Sequence, residues 1–363
     1  MVTLFCIRPK GFNVGNDAIF MGMQHFLQEA FGQVVNIITL PATSRYESQA
    51  KAGLTARTIH EINLYGHGVI VGGGNLYENG ELEVNLDSLR TLQVPLLLFS
   101  LSRGRIYNRR HELIDRTDVM PDRILQAINQ KASLSLARDE VTHSYLKGLG
   151  LDQVQLGGCP TIFLDKQLWR LPRLPEVDQT GVLISIRTPD LMNIPLSKQA
   201  QVRGDVERII AFLRAEGHSK IRLLCHDHRD VAFAASFTDI EYVYTSDVYT
   251  YLALLRSCSL NISYRLHATL PSLAFGTPTI KITYDERALS LMETVGYGGW
   301  NINMMASGDL LADVQDRYRR LDELPQLKHA NQGIWSGHYE TMLNSFRQFA
   351  DEVHAYRDRP SAF

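Results

Sequence analysis

Two consecutive doubly wound α/β domains facing a cleft are the fold class this chain predicts, and three observations carry that expectation. Short β-branched runs alternate with longer helix-spaced patterns, the signature of parallel sheets joined by crossover helices. Midway, Leu171-Pro172-Arg173-Leu174-Pro175 leads through polar residues to Gly181, and the alternation then restarts. Charged residues also recur where strands give way to helices, the edge at which open α/β sheets bind ligands. At 363 residues the chain suits two domains of ordinary size. The expected division is a Rossmann-like domain over 1–170, a linker over 171–181, a second Rossmann-like domain over 182–330, and a helix with tail over 331–363.

In the first half the strands expected are 2–7, 34–40, 68–71, 95–101, 133–137 and 154–156. Apolar residues from Asp17 to Leu27 recur at helical spacing, with Gly15-Asn16 as turn and N-cap. In the second half, strands at 182–186, 221–224, 241–244, 259–263 and 279–283 alternate with helices near 198–216, 230–236, 247–256 and 266–275. A helix begins near Asp285, and 336–356 reads as a long amphipathic helix.

Composition narrows the function classes. The apolar fraction is 45%, the charged fraction 21% and the formal net charge −2, which suit a globular protein and argue against broad capture of nucleic acid. The longest apolar runs fall far short of the roughly 20 residues that span a bilayer. Met1 to Arg8 reads as a buried first strand, not a signal peptide. Cys6, Cys159, Cys225 and Cys258 are scattered without a C-x-x-C pair, so reduced core thiols in the cytoplasm are expected, with neither a zinc site nor a disulfide framework.

The residues with chemistry stand at strand ends. Tyr264-Arg265-Leu266-His267-Ala268 runs out of an apolar strand and into an apolar helix. A fixed cation that forks onto carboxylate or phosphate is thus set beside an imidazole able to move a proton near neutral pH. Arg187 ends the first strand of the second domain before Thr188-Pro189, where an anion contact or an inter-domain salt bridge would serve. In the first loop, Asn13, Gly15 and Asp17 lie between strand and helix, and either an anion or hydroxyl cradle or an ordinary βα turn fits them. Gly72, Gly73 and Gly74 before Asn75 read as a ligand cradle, because three consecutive glycines are costly in backbone entropy. Arg103 follows another strand, with a phosphate-facing cluster and a solvated face left open. Arg138 is expected to reach the cleft while Asp139 caps a helix. Cys225-His226-Asp227-His228 lacks metal-ligand spacing and reads as cap and loop.

Gly-x-Asp-Ala after the first strand, Gly-Gly-Gly-Asn, Leu-Ala-Arg-Asp-Glu, Gly-Cys-Pro-Thr, and Arg-Leu-His-Ala before Pro-x-Ile-x-Ile-x-Tyr-Asp occur in one order. From Asn13 to about Tyr297 the set resembles the polysaccharide pyruvyl transferase family, whose fold is similar to the two-domain GT-B glycosyltransferases. The resemblance implies phosphoenolpyruvate as donor, a saccharide or lipid-linked saccharide acceptor, and no metal or redox cofactor. It places Arg265, Leu266 and His267 on the family's R-L-H segment and Arg187 on its strand-end arginine. These residues would bind the donor, with His267 as general acid and Arg265 beside it in catalysis. Asn13, Gly15, Asp17, Gly73, Gly74, Asn75, Arg103, Arg138 and Tyr284 become acceptor or cleft candidates. A cytoplasmic enzyme is implied, at the inner face of the membrane if the acceptor is lipid-linked. Two departures stand out: the usual Gly-Asn-x-Gly-Asp is Phe12-Asn13-Val14-Gly15-Asn16, and Arg287 replaces the lysine after Tyr284-Asp285. The competing readings are a GT-B glycosyltransferase using a nucleotide sugar and a noncatalytic saccharide-binding relative. The sequence offers no evident acidic partner for a nucleotide ribose late in the second domain.

Overall fold

The computed structural model describes residues 1–9, 11–45, 51–78, 80–179 and 181–359. Lys10 of the first loop, Thr180 of the expected linker and the tail 360–363 lie outside them.

The β-branched runs form strands β1 (Val2–Arg8), β2 (Val35–Pro41), β3 (Gly68–Gly74), β4 (Leu96–Leu101), β5 (Ile106–Tyr107), β6 (Leu113–Ile114), β7 (Leu134–Ala137) and β8 (Gln155–Leu156). All but the β5–β6 hairpin join a parallel sheet in the order β2-β1-β3-β4-β7-β8. The chain then builds β9 (Val182–Ser185), β10 (Ile221–Cys225), β11 (Glu241–Tyr244), β12 (Leu260–Ser263), β13 (Thr279–Thr283) and β14 (Ile302–Asn303). These pair in the parallel order β11-β10-β9-β12-β13-β14. That is the order of a dinucleotide-binding sheet, in which the direction of winding reverses between the first and fourth strands in sequence. In the first sheet the reversal falls between β1 and β3. The expected fold of two doubly wound parallel sheets is therefore what the chain adopts.

Two sequence expectations are corrected. The first crossover helix is Val14–Phe31, capped by Asn13, whose side chain accepts from Gly15 N–H at 2.9 Å. It begins before the Gly15-Asn16 turn that was expected to open it, because the Asn13 carboxamide satisfies an orphan N–H earlier. Strand β3 does not end at Val71 but carries its pairing through the glycines, with Gly72 opposite Phe99 and Gly74 opposite Leu101. The long helix expected near the C-terminus is present as Gln332–Arg357, and Phe346, Phe349 and Val353 on it share one core cluster with Val2, Leu4 and Ile70.

The two domains are joined by more than a linker. Val14, Ala18 and Met21 of the first crossover helix pack with Leu224, Leu252 and Ala268 of the second domain. The Glu140–Gly148 helix meets the Glu286–Thr294 helix, where Val141 N–H donates to Ser290 Oγ at 3.1 Å. Space remains open mainly where the strand ends face one another.

Candidate active site

A cleft of about 330 Å³ lies between the two sets of strand ends. Six arginines (45, 138, 187, 229, 265, 287) line it against three carboxylates (Glu81, Asp190, Asp285). Its second-domain wall stands at the winding reversal of that sheet. Arg187 follows β9 and Arg265 follows the adjacent β12, so parallel pairing fixes the two guanidinium groups side by side.

Arg265 is the N-cap residue of the Leu266–Phe275 helix, and no side chain caps that helix. The uncapped first turn therefore turns N–H groups and the positive end of the helix dipole toward the cleft. Arg265 is 6% exposed, and no carboxylate among the described residues lies within salt-bridge distance of it. Arg187 sits 3.6 Å from Asp230 and 3.7 Å from Asp227, yet its Nε and Nη1 have no hydrogen-bond partner. Burial and then Arg265 lower the pKa of Arg187, the mark of a cation held where another cation already stands.

His267 occupies the first turn of the same helix, and its Nε2 is buried without a partner. Its placement has a traceable cause. Pro271 in that helix lacks the N–H that would bond the His267 carbonyl four residues earlier. The Tyr251 hydroxyl takes that carbonyl instead, at 2.8 Å. On the other side, a Cβ on Gly15 would lie 2.9 Å from both Cβ and Nδ1 of His267. Only glycine lets the first crossover helix approach this closely. Burial, followed by Arg138 and Arg265, pushes the His267 imidazole well below its ordinary value of 6.5, which favours its neutral form.

Of the sequence candidates, Asn13, Asn75, Arg138, Arg187, Tyr284, Arg265, Leu266 and His267 meet in this one space. Others have different work. Gly15 is a packing contact against His267, and Asp17 binds Arg8 at 2.7 Å. Gly73 and Gly74 have φ of +60° and +103°; a Cβ on Gly73 would strike Ile19, so Gly73 admits a helix side chain, while a Cβ on Gly74 would meet only ordinary contacts. Arg103 bonds Asp115 at 2.8 Å and stacks 3.9 Å over Tyr145, outside the cleft lining.

Several lining residues escaped sequence reasoning. His226 follows β10; its backbone carbonyl accepts from Val14 N–H at 3.0 Å and its Nε2 lies 2.9 Å from the Tyr251 hydroxyl. Asp227, Phe12 and His228 complete this seam: Asn13 bridges Asp227, and the Phe12 ring meets His228 edge-on at 4.3 Å. Against the upward pull of burial, Arg229 holds the Asp227 carboxyl down at about 2. Arg287 ties the walls together through Glu78 at 2.6 Å and Asp285 at 2.8 Å. Lys281, buried in β13, donates to the Ile282 carbonyl at 2.7 Å; burial outweighs nearby Asp285 and brings its pKa to about 7. A lysine inside a strand buried on both faces was the signal available for it. Among the described residues no group of three or more His, Cys, Asp or Glu is placed to hold a metal ion. The four cysteines are free and buried, and no described helix is long and apolar enough to cross a membrane.

Two Rossmann-like domains whose strand ends share a cationic cleft define a GT-B-like α/β protein. Solved structures agree in fold. UDP-N-acetylglucosamine 2-epimerase from Rickettsia bellii superposes with a TM-score of 0.56 at 12% identity, covering 98% of each chain. The Methanocaldococcus jannaschii UDP-GlcNAc 2-epimerase gives 0.55 at 12% identity, covering 88% of this chain and 92% of that one. The family itself follows from sequence: residues 13–286 match the polysaccharide pyruvyl transferase model, and the chain belongs to that family. The amylovoran biosynthesis protein AmsJ of Erwinia amylovora is 31% identical over 75 residues, which cover 20% of this chain and 18% of that protein.

Proposed function

We propose that this protein transfers a pyruvyl group from phosphoenolpyruvate to a saccharide, forming a pyruvate ketal and releasing phosphate. The observation that carries this reading is a buried cationic cluster, Arg187 with Arg265, beside a partnerless neutral imidazole. A buried guanidinium with no counterion in reach, as at Arg265, or with only loosely placed ones, as at Arg187, is costly, and a small donor bearing both carboxylate and phosphate would relieve that cost. Arg187, Arg265 and the Leu266 end of the uncapped helix would hold it.

The donor's negative charge raises the proton affinity of His267, which takes up a proton as the donor settles. His267 then delivers that proton to the C3 methylene, and C2 becomes oxocarbenium-like. One saccharide hydroxyl bonds to C2 and hands its proton back to His267. The C2–O bond to phosphate then breaks, and a second hydroxyl bonds to C2 while its proton leaves with phosphate. No redox change occurs, and no cofactor enters the balance. Asn13, Asn75 and Tyr284 stand where the acceptor would lie, with Phe12 at the rim. A lipid-linked acceptor would bring the reaction to the inner face of the membrane.

Incubation with phosphoenolpyruvate and candidate glycans, followed by phosphate assay and mass spectrometry, tests the proposal. Phosphate release with a pyruvate mass added to the glycan is expected. Turnover of a nucleotide sugar alone would overturn it.

A further inference from the structure

The cleft carries an aromatic ring that the chemistry of the donor does not use. Phe12 lies in the loop between β1 and the first crossover helix, lines the cleft and is 51% exposed. Where it stands the family's usual motif has glycine, so the ring is this chain's own addition to the cleft. Left in water, half of its apolar surface forfeits the free energy that burial gives.

The ring is nevertheless held in place. Its edge-on contact with His228 has an interplanar angle of 74°. The next residue, Asn13, bridges Asp227, and Val14 N–H donates to the His226 carbonyl at 3.0 Å. The loop is thus fastened to the second domain on the residues that follow Phe12. An aromatic side chain on fixed backbone has little freedom left to lose when a ligand lies against it.

The second domain adds Asp190, Leu191 and Asn193 to the same lining. Asp190 and Asn193 are exposed, and their side chains make no hydrogen bond or ion pair among the described residues. Asn193 holds φ at +53°, a conformation asparagine takes more readily than most residues. An apolar ring, a carboxylate and a carboxamide are together the chemistry that recognises a pyranose. The C–H groups on one face of the sugar lie on the electron-rich aromatic face, while its hydroxyls donate to the carboxylate and exchange hydrogen bonds with the amide. An anionic donor is repelled by Asp190 and drawn to the buried arginines, so the two ligands are sorted by charge.

We propose that Phe12, Asp190 and Asn193 form a sugar subsite in which the Phe12 ring is the platform for a pyranose of the acceptor. The subsite rests on the pyruvyl-transfer reading for the use made of that sugar, while its affinity for a pyranose stands without it.

Phe12→Leu keeps an apolar side chain and removes the aromatic face, and Phe12→Tyr keeps the face. The probes are the methyl glycosides of glucose, galactose and mannose, with binding to the full-length protein read by saturation-transfer NMR. The wild type is expected to bind at least one of them through the C–H groups of one sugar face. Phe12→Leu should weaken that binding roughly three- to tenfold, and Phe12→Tyr should restore it. Affinity for phosphoenolpyruvate, read by calorimetry, should be the same in all three proteins. The melting temperature of Phe12→Leu should match the wild type, since the ring is half exposed. Absence of glycoside binding by the wild type would overturn the proposal. So would full glycoside affinity in Phe12→Leu, or an equal loss of donor affinity, either of which leaves the ring a packing contact for His228. Loss of uridine diphosphate binding with the glycosides unaffected would assign the ring to a nucleobase and overturn it too. If the glycosides behave as expected but phosphoenolpyruvate yields no phosphate with any saccharide, the subsite stands and the pyruvyl reading alone fails.

Discussion

Arginines stand at strand ends in both domains, but what faces them differs. In the first domain Arg8, Arg103 and Arg105 meet Asp17, Asp115 and Glu286 within 2.5–2.8 Å. In the second, Arg187 has nothing closer than 3.6 Å, and Arg265 has no carboxylate within reach among the described residues. Sequence position alone makes these residues look alike. The partner separates them: an arginine bonded closely to its counterion holds the fold, whereas Arg187 stands off from Asp227 and Asp230 and Arg265 has no carboxylate within reach among the described residues. The Arg105–Glu286 and Arg287–Glu78 pairs also cross between domains, so paired cations hold the two walls of the cleft together.

The strongest way to break this contrast is to remove the proton source among the unpaired cations. His267→Ala is expected to lower kcat by about 10²–10⁴, the range for a general acid, while donor affinity measured by calorimetry stays near wild type. Normal turnover would remove His267 from the mechanism. A smaller effect sharpens the comparison directly. Arg187→Ala should weaken donor binding by about 1.5–3 kcal/mol, as for a hydrogen bond to a charged group, whereas Arg103→Gln should leave it unchanged. Equal losses in the two variants would erase the distinction between paired and unpaired sites.

The smallest effect is on stability against pH. Burial lowers the pKa of His226 and His267 below 6.5, so the unfolded chain binds more protons than the folded one as the medium acidifies. Their contribution is whole above pH 6.5 and is lost as pH falls through the folded-state values. Each group adds at most about 1.4 kcal/mol per pH unit to the slope. His267→Gln should flatten the acid limb of a chemical-denaturation series, and an unchanged slope would show that burial does not hold His267 neutral in the folded protein.

Most strands were legible because a buried parallel strand is a short β-branched run and little else competes with that pattern. The short β14 and the β5–β6 hairpin escaped, since two residues carry no period. Arg187, Arg265 and His267 were legible as strand-end residues, and the sheet order brings them together. The triple glycine is ambiguous in sequence, because a glycine admitting Ile19, as Gly73 does, is written the same way as one admitting a ligand. Gly15 carried the same ambiguity with His267 as its neighbour. His226 and Arg287 depend on contacts between residues far apart in the chain, which local pattern does not encode.

The return of the Gln332–Arg357 helix to the first sheet has a consequence for how the molecule assembles. A Cβ on Gly68 would lie 2.7 Å from Val353, and Phe346 rests on Phe99 with ring centroids 4.9 Å apart. The surface first laid down by the N-terminal strands is thus finished by residues made after the whole second domain. Such distant contacts are slow to close, and until they do the strands around Gly68 keep an oily face open to water. The Gln332–Arg357 helix is therefore a clasp on the first sheet, and shortening it would leave that domain the more prone to aggregate.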